Sequence, residues 1–427
     1  MRLAKDYRLP APEDTTLHPT ATGEAVAHGD CYEVLYSDGR SLIRGTGRPA
    51  FTFMLRDARQ YEWLQRADLY SAATAFIRGD FDIHGDIMSA IRFKKASRLS
   101  WRDALSAMAA RLAPRRLESW FQSRRRAARN IRFHYDRSND FYRAFLDSQM
   151  VYSCAYFKDE TKGLDEAQTA KLDHICRKLD LRPDESFLDV GCGWGALVIR
   201  AAEKFGVVAT GCTLSLQQDF FAARKVFEKN LEKRVSIHEY DYRKLGGRFN
   251  KIASVGMFEH VGRKRLQEYF RKVFDLLDDN GLFLNHGILR PEGASDGPET
   301  LFLQRRVFPG GELATLSTVA REAGRAGFEV LDVENLRPHY ALTCRHWVDR
   351  LRQNATECLK HVDRETYRTW LLYLAGSALS FETGATDLCQ ILMAKRQTPR
   401  NRHLTRDHMY ASSSEPRLGP DARTGAP

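Results

Sequence analysis

The stretch LDVGCGWGALVIRAAEKFG, residues 188–206, decides the fold class of this 427-residue chain. It starts with the end of an apolar run, continues with Gly191, Gly193 and Gly195 at alternate positions, and then shows apolar residues at helical spacing. Glycines let the backbone turn tightly and approach a ligand closely. The stretch therefore predicts a buried strand, a glycine loop and a helix, with a ligand site where the strand ends.

The segments around this stretch repeat the alternation of strand and helix. Such alternation predicts an α/β fold, in which a mostly parallel sheet carries helices on both faces. We assign residues 131–397 to this domain and expect a long helical stretch at 340–381. Further strands are predicted at VVATGCT (207–213), VSIHEYD (235–241), KIASVGM (251–257), GLFLNHGI (281–288) and DLCQILMAK (387–395), the last of which is expected to close the sheet.

Three other regions flank this domain. Residues 1–95 predict a small α+β domain with a hairpin at Asp38-Gly39 and, since no catalytic cluster is seen there, a binding or scaffolding role. Residues 96–130 place apolar residues and arginines on opposite helix faces, which is typical of an interfacial helix on anionic lipid; the alternative is a linker helix packed on its neighbour. Residues 398–427 are polar and rich in Pro, Gly and Ser, which predicts disorder.

Composition narrows the classes of function. The formal net charge of +11 and the pI of about 9.2 attract nucleic acid or an anionic membrane, but no nucleic-acid-binding module accompanies the charge. No apolar run reaches the roughly eighteen residues of a membrane span, and the N-terminus lacks the apolar core of a signal peptide, so we expect a cytoplasmic protein. The eight cysteines show neither CxxC nor zinc spacing, which predicts free thiols and no metal site.

The glycine loop is compatible with several cofactors, and its surroundings distinguish them. An NAD site prefers GxGxxG and an acidic residue after the next strand, where this chain has TGCTLSLQQ (210–218). No GK[ST] follows the loop, which argues against a phosphate-binding P-loop. Asp189 before the loop fits S-adenosylmethionine better, and the amide of Gln218 can hold ribose hydroxyls. A plain tight turn is the remaining interpretation.

A second polar feature is SVGMFEHVG, residues 254–262. Glu259 and His260 interrupt a small apolar run at the end of a predicted strand, where ligands bind in folds of this type. Glu259 is therefore a candidate functional carboxylate. We predict that His260 is a helix-start residue bonded to nearby backbone; the alternative is a residue that lines the site.

Several stretches, taken together and in this order, resemble the cyclopropane-fatty-acyl-phospholipid synthases and the related mycolic-acid methyltransferases. The resemblance covers residues 131–397, and FIRGDFDIHGD (76–86) also resembles the accessory domain of the phospholipid enzymes. Two departures are Gln217, where the family usually has Glu, and NHGI in place of the His-Thr-Ile form of some members. The matching motifs are HYDRSNDFYRAFLDSQMVYSCAYF (134–157), LDVGCGWG (188–195), GCTLSLQQ (211–218), SVGMFEHVG (254–262), NHGI (285–288), FPGGEL (308–313) and HYALTCRHW (339–347).

The resemblance implies a Rossmann-like class I S-adenosylmethionine-dependent methyltransferase with a helical cap. The implied reaction adds a methylene across a cis double bond of an acyl chain in a membrane phospholipid, at the cytoplasmic face of the membrane. It also implies a bound bicarbonate ion, whose ligands map onto Cys154, Glu259, His286, Ile288 (through its backbone) and Tyr340. The implied cofactor contacts map onto Tyr152, Ser153, Gly191, Gly193, Thr213, Leu214, Gln218, Asp241 and Tyr242.

The implied chemistry assigns roles to these residues. Closing a cyclopropane ring needs a base beside an apolar chain with water excluded. By resemblance that base is bicarbonate, held by Glu259 and His286, and we expect burial to raise the pKa of Glu259 so that it can donate a hydrogen bond. Cys154 adds a weak donor and small volume, since no covalent intermediate is needed. Tyr135 is the candidate for stabilising a carbocation by cation–π attraction in the acyl tunnel.

Other functions stay open at this point. The same residues are compatible with a methyltransferase that makes methylene- or methyl-branched lipids. The N-terminal domain and the basic helix suggest a noncatalytic lipid-binding protein. The charge raises a nucleic-acid methyltransferase, although no (N/D)PPY-type motif is found. The N-terminal domain either presents lipid or pairs subunits in a homodimer.

Overall fold

The computed structural model describes residues 31–96, 138–294, 298–308, 311–396 and 403–410. Helices and strands are numbered in chain order within these ranges. The predicted basic linker at 96–130, apart from residue 96, and the candidate Tyr135 lie outside the described residues.

The N-terminal region forms a sheet of its own. Its elements are β1 (Tyr32–Tyr36), β2 (Ser41–Arg44), β3 (Phe51–Leu55), α1 (Ala58–Arg66), α2 (Leu69–Arg78), β4 (Asp82–Gly85) and α3 (Ile87–Ala96). Strands β1 and β2 pair antiparallel across the turn at Asp38-Gly39, where Gly39 has φ +86°, so the predicted hairpin is confirmed. The strand order is β2-β1-β3-β4, with β1 and β3 parallel, and helices cover the sheet in the expected α+β arrangement.

The larger domain is built on one mixed sheet. Within the described residues its strands are β5 (Ser186–Val190), β6 (Val208–Thr213), β7 (Val235–Glu239), β8 (Phe249–Val255), β9 (Leu277–Leu289), β10 (Phe328–Asn335) and β11 (Asp387–Lys395). They lie in the order β10-β11-β9-β8-β5-β6-β7, and every pair from β9 to β7 is parallel. The α/β fold class with a mostly parallel sheet is confirmed.

Two details at one edge of this sheet differ from the prediction. Strand β11 does not close the sheet, because it lies between β9 and β10 and runs antiparallel to both. Strand β10, with the sequence FEVLDVEN, was not predicted. Its acidic residues interrupt the apolar run, and they are accommodated because Asp332 and Glu334 both pair with Lys178.

Helices pack on both faces of the sheet. They are α4 (Asn139–Arg143), α5 (Leu164–Lys178), α6 (Ala196–Phe205), α7 (Leu216–Glu228), α8 (Leu266–Leu276), α9 (Pro298–Arg306), α10 (Leu316–Ala326), α11 (Arg337–Gln353), α12 (Ala355–His361), α13 (Arg364–Glu382) and α14 (Asp407–Tyr410). Successive strand residues point to opposite faces. Phe283 accordingly packs in a cluster with α8 and α10, whereas its neighbour Leu284 packs in a cluster with α5 and α6.

A third buried cluster joins the helical cap to the N-terminal sheet. It contains Trp347 of α11 and Trp370 of α13 together with Phe53 and Phe76. Arg368 of α13 strengthens this junction, because it donates to the carbonyls of Phe76 and Phe81 at 2.6 and 3.1 Å. The N-terminal domain is thus held against α13, which packs in the same cluster as α11, the helix that carries HYALTCRHW.

Part of the segment predicted to be disordered is ordered in the structure. In residues 403–410, Met409 is buried and its carbonyl accepts from Arg177 at 3.2 Å. Arg406 donates to the buried Asp332 at 2.5 Å. These contacts place α14 against α5 and β10. Because most of them are polar, the pattern of apolar residues in the sequence did not predict this short helix.

Candidate active site

One pocket opens at the carboxyl ends of β5, β6 and β8. The residues predicted to contact the cofactor all line it, although they come from segments far apart in the chain. They are Tyr152, Ser153, Asp189, Gly191, Gly193, Thr213, Leu214, Gln218, Asp241 and Tyr242. The pocket therefore lies in the crevice where open α/β sheets bind ligands.

The glycine loop shapes the floor of this pocket. Gly191 has φ +86°, and a Cβ at this position would lie 2.9 Å from Cγ of Met257, so the packing admits only glycine. Gly193 has φ +54°, and a Cβ there would meet no atom within 4 Å. Open space beside the tip of the loop is what close approach of a ligand requires, so the loop fits a nucleoside-type cofactor.

At the end of β6, a side-chain hydrogen bond fixes the orientation of an amide. The hydroxyl of Thr213 donates to Oε1 of Gln218 at 2.7 Å. The NH2 group of Gln218 is therefore the end of the amide that is not held by Thr213. Ser215 caps α7 by accepting from the backbone N–H of Gln218, which holds this side chain at the pocket wall.

Buried charges surround the segment that carries Ser153. Nζ of Lys171, on α5, donates to Oγ of Ser153 at 3.2 Å. Burial lowers the pKa of Lys171 to about 8, and the nearby Asp147 and Cys154 oppose this shift. Asp189 is 2% exposed, and burial raises its pKa to about 7 against the opposing charge of Lys171. Buried titratable groups thus lie at this end of the pocket.

The turn after β8 connects the pocket to a second buried site. Gly256, with φ +66°, donates its N–H to the carbonyl of His286 at 2.9 Å and starts a turn into the 3-10 helix Phe258–His260. Met257 lines the pocket, whereas Glu259 turns away toward β9. The backbone N–H of Ile288 donates to Oε1 of Glu259 at 2.7 Å. The backbone of Ile288 was predicted to bind an anion, and in the structure its N–H bonds the Glu259 carboxyl group.

Two buried polar atoms at this second site have no hydrogen-bond partner among the described residues. They are Oε2 of Glu259 and Nε2 of His286. Although Glu259 as a whole is partly exposed, its Oε2 atom is buried, and burial raises the pKa of this carboxyl to about 7, as predicted. Burial, helped by the charges of Lys171 and Lys178, holds the pKa of His286 well below its usual value. The site therefore presents a neutral imidazole and a carboxyl that is easily protonated.

Tyr340 and Cys154 belong to the apolar wall of the same region. Both are buried in one cluster, against which Ile288 packs. Burial, with contributions from Cys154 and Glu259, raises the pKa of Tyr340 far above its ordinary value, so its hydroxyl stays protonated. The Sγ atom of Cys154 is 3.1 Å from the carbonyl of Ala155, and burial raises the pKa of this thiol. A neutral thiol is consistent with a packing role rather than a nucleophilic one.

Aromatic rings connect the pocket to this wall. The ring of Tyr152, which lines the pocket, lies 5.1 Å from the ring of Trp347, and Trp347 lies 6.0 Å from Tyr340. Tyr340 in turn stacks on Phe381 at 4.5 Å. The two sites thus share one apolar boundary.

The prediction for His260 was wrong in two respects. The residue ends a short helix, and its N–H bonds the carbonyl of Met257 at 3.0 Å, but the residue also lines the pocket. Burial lowers the pKa of His260 to about 4, so the imidazole is neutral at pH 7. The side chain is therefore a neutral wall of the cofactor site.

Sequence reasoning missed other residues at these sites. Lys171 and Trp194 line the pocket, and Trp194 donates to Asn139 at 2.8 Å. Gln390 lies beside His286, with its Nε2 atom 3.1 Å from Nδ1 of the imidazole. The position of Trp194 between two glycines and the polar Gln390 inside an apolar strand were usable signals, whereas nothing in the sequence marks Lys171 as buried.

Two further features of the described structure concern metal sites and membrane spans. In the ranges that it describes, no group of three or more His, Cys, Asp and Glu side chains is placed to hold a metal ion. None of the described helices is long and apolar enough to cross a membrane. All eight cysteines are buried free thiols.

The parallel sheet with its antiparallel β11, the glycine loop after β5 and the pocket above it define a class I S-adenosylmethionine-dependent methyltransferase. The model of the mycolic acid cyclopropane synthetase family matches residues 122–391, and the chain belongs to this family. A protein of Pseudomonas putida named "probable fatty acid methyltransferase" is 40% identical over 383 residues, which cover 87% of this chain and 94% of that protein.

Solved structures show the same relationship. The cyclopropane synthase MmaA2 from Mycobacterium tuberculosis superposes with a TM-score of 0.61 at 32% identity, covering 63% of this chain and 98% of that chain. The mycolic acid cyclopropane synthase CmaA1, complexed with SAH and CTAB, gives a TM-score of 0.60 at 34% identity with the same coverage. The expected enzyme class, an S-adenosylmethionine-dependent methyltransferase, is confirmed.

Proposed function

We propose that this methyltransferase is a cyclopropane-fatty-acyl-phospholipid synthase. It would convert the cis double bond of an unsaturated phospholipid acyl chain into a cyclopropane ring, with bicarbonate bound at the second site. The observation that carries this proposal is the pair of buried atoms without hydrogen-bond partners, Oε2 of Glu259 and Nε2 of His286, beside an apolar wall at the cofactor pocket. When bound, S-adenosylmethionine supplies the methyl group and bicarbonate supplies the base.

The residues of the pocket fit the methyl donor. Open space at Gly193 accommodates close approach to the backbone, and the NH2 end of the Gln218 amide can donate to a ribose oxygen. Nζ of Lys171 donates to Oγ of Ser153, so the hydroxyl proton of Ser153 is available to an acceptor in the pocket. A carboxylate of the donor is a suitable acceptor, and the charge of Lys171 stabilises it there.

The second site fits a small oxyanion. A protonated Glu259 carboxyl can donate from Oε2, a neutral His286 can donate from Nε2, and the protonated hydroxyl of Tyr340 adds a third donor. Ile288 contributes through its backbone N–H, which positions the Glu259 carboxyl at 2.7 Å. Cys154 adds no charge, because burial raises the pKa of its thiol. These donors would hold an anion in buried surroundings.

A lipid substrate is proposed from the apolar wall and from the relatives. The P. putida relative is named as a fatty acid methyltransferase, and the solved relatives are named as mycolic acid cyclopropane synthases. The aromatic boundary of Tyr152, Trp347 and Tyr340 supports an acyl chain, and its rings can stabilise positive charge on the chain during reaction. Tyr135 stays a prediction for the same role, because it lies outside the described residues.

Membrane contact is proposed from the surface of α7. Phe220 and Phe227 are each 70% exposed, and they lie with the exposed Leu216 on one face of this helix. The same helix carries Gln218, which lines the cofactor pocket. Exposed aromatic side chains on one helix face suit insertion among lipid headgroups, and the net charge of +11 favours an anionic surface. A homodimer through the N-terminal domain stays a prediction, and light scattering of the purified chain tests it.

The experiment uses purified protein, S-adenosylmethionine, bicarbonate and vesicles of a cis-monounsaturated anionic phospholipid. Mass spectrometry is expected to show the gain of one CH2 unit per acyl chain, and proton NMR should show upfield cyclopropane protons. Exomethylene or methyl-branch signals would instead identify a branched-lipid methyltransferase. Binding of the cofactor without methylation of any lipid would overturn the proposed substrate.

A matched pair of variants tests the membrane surface. The double variant Phe220→Ser/Phe227→Ser should lower vesicle binding and activity on vesicles, while cofactor affinity is retained. The control is Val330→Ser/Val333→Ser, which removes partly exposed apolar side chains from β10 at the opposite edge of the sheet. Equal vesicle binding by both double variants would exclude α7 as the contact.

A further inference from the structure

Gln390 is a buried polar residue in the middle of an apolar strand. Its exposure is 0%, and its neighbours in β11 are the buried Cys389 and Ile391. In the antiparallel pairing of β11 with β9, Gln390 lies directly opposite His286. Residues that face each other in this way project from the same side of the sheet, so their side chains meet.

The contact between these two side chains is a hydrogen bond between the amide nitrogen and the imidazole ring. Nε2 of Gln390 lies 3.1 Å from Nδ1 of His286. An amide NH2 group can only donate, so Nδ1 must accept and carries no proton. In a neutral imidazole the proton then resides on Nε2. The strand pairing therefore selects one of the two histidine tautomers.

The groups around His286 keep the ring neutral. Lys171, Lys178 and His174 face it from α5 and disfavour a positive charge, while Glu334 on β10 favours one. Burial adds to the effect of the cations and lowers the pKa of the imidazole well below its usual value. A neutral ring whose Nδ1 accepts a hydrogen bond from Gln390 can offer a single N–H donor, at Nε2.

Stability alone does not explain a glutamine at this position. Oε1 of Gln390 is buried and has no hydrogen-bond partner among the described residues. Burying an amide with half of its hydrogen bonds unmade costs about 1–3 kcal/mol, which a leucine of similar size would avoid. The contact that Gln390 does make is the one that determines the proton position on His286.

We propose that Gln390 is a positioning residue, which fixes His286 as the Nε2–H tautomer and thereby aims one N–H donor at the anion of the second site. The anion-binding part of this assignment rests on the proposed function. The tautomer part rests on the strand register and the hydrogen bond alone. The two parts can therefore be separated by experiment.

The first measurement is nitrogen NMR of protein labelled with 15N-histidine, with the His286 signals assigned by comparison with His286→Asn. The wild type is expected to show an unprotonated Nδ1 and a protonated Nε2. Gln390→Leu should give a mixture of tautomers, because no donor faces Nδ1. Gln390→Glu should reverse the tautomer, because a carboxylate accepts a hydrogen bond from Nδ1–H. An unchanged tautomer in both variants would overturn the proposal.

The second measurement is methylation rate against bicarbonate concentration. Loss of a residue that orients a ligand side chain typically costs about 10- to 100-fold, so Gln390→Leu should raise the half-saturating bicarbonate by this factor. The control is Thr369→Val, which removes a buried hydrogen bond to the carbonyl of Glu365 in α13 and should leave bicarbonate dependence unchanged. Unfolding midpoints and cofactor binding verify that each variant is folded.

The outcomes distinguish the two proposals. A tautomer change with a loss of bicarbonate affinity supports both. A tautomer change in an enzyme whose wild type shows no bicarbonate dependence keeps the assignment of Gln390 as the residue that sets the tautomer and rejects bicarbonate. An unchanged bicarbonate affinity in Gln390→Leu, with a clear dependence in the wild type, would overturn the positioning role.

Discussion

Replacing Gly287 with alanine tests how the structure packs behind the Glu259 carboxyl. An added Cβ would lie 1.9 Å from Cε1 of Phe258 and 3.1 Å from Oε1 of Glu259. Phe258 is 2% exposed, so its ring has no solvent to move into. Overpacking of a filled core costs about 1–3 kcal/mol, and we expect this loss for Gly287→Ala. Because Phe258 and Glu259 share one short helix, a displaced ring also moves the carboxyl.

The assay is urea unfolding, with Gly324→Ala as the matched control. Gly324 is an exposed residue of α10, where an added Cβ meets nothing within 4 Å, so alanine should stabilise the helix by about 0.5–1 kcal/mol. In a Phe258→Leu background the loss from Gly287→Ala should shrink by about 0.5 kcal/mol or more. The rate of lipid methylation should follow the same order as the stabilities of these variants. A Gly287→Ala protein as stable as the wild type, or an undiminished loss in the Phe258→Leu background, would refute the packing argument.

Three further predictions concern charges and hydroxyls. In the folded protein the pKa of Glu259 is about 7, above its ordinary value of 4.5. Between pH 4.5 and pH 7 the native state therefore binds a proton that the unfolded state has lost. The wild type consequently loses stability as the pH rises through this range. Glu259→Gln should remove this pH-dependent loss, which is on the order of 3 kcal/mol. Urea unfolding measures the difference in stability between wild type and variant, and an equal difference at pH 5 and pH 8 would contradict this prediction. Arg368→Ala, which strands the carbonyls of Phe76 and Phe81, should cost about 1–3 kcal/mol and speed hydrogen exchange in α2 and β4; unchanged exchange there would argue against the junction. Tyr340→Phe keeps the ring and removes the hydroxyl, so kcat should fall about 10²- to 10³-fold with cofactor affinity retained, and a normal kcat would remove Tyr340 from the site.

The cofactor pocket could be located from the sequence because its residues follow strand ends. The carboxyl ends of parallel strands meet at one edge of a sheet, so the loops after SFLDVGC, VVATGCT and KIASVGM had to converge. The local sequence pattern alone was enough to place Gly191 and Asp189 at the pocket. The same reasoning placed Glu259 near the pocket, although it did not show that the carboxyl would turn toward β9.

The second site could not be assembled in this way, because its contacts join segments far apart in the chain. Gln390 meets His286 only through the antiparallel register of β11 against β9, across 104 positions of sequence. That register depends on β11 inserting between β9 and β10, and the sequence suggested an edge strand instead. The departure NHGI also finds its reason here, since the ring of Phe258 fills the space that a side chain at Gly287 would take.

The polar atoms of the second site show where this fold gives up stability. Oε2 of Glu259, Nε2 of His286 and Oε1 of Gln390 are buried, and none has a hydrogen-bond partner among the described residues. Each such atom costs about 1–3 kcal/mol, and apolar side chains at the three positions would avoid the loss. Under the proposed function, protonated Glu259 and the Nε2–H tautomer of His286 would turn two of these atoms into hydrogen-bond donors for an oxyanion. Under the proposed function, a bound ligand rather than folding would account for these unmet hydrogen bonds.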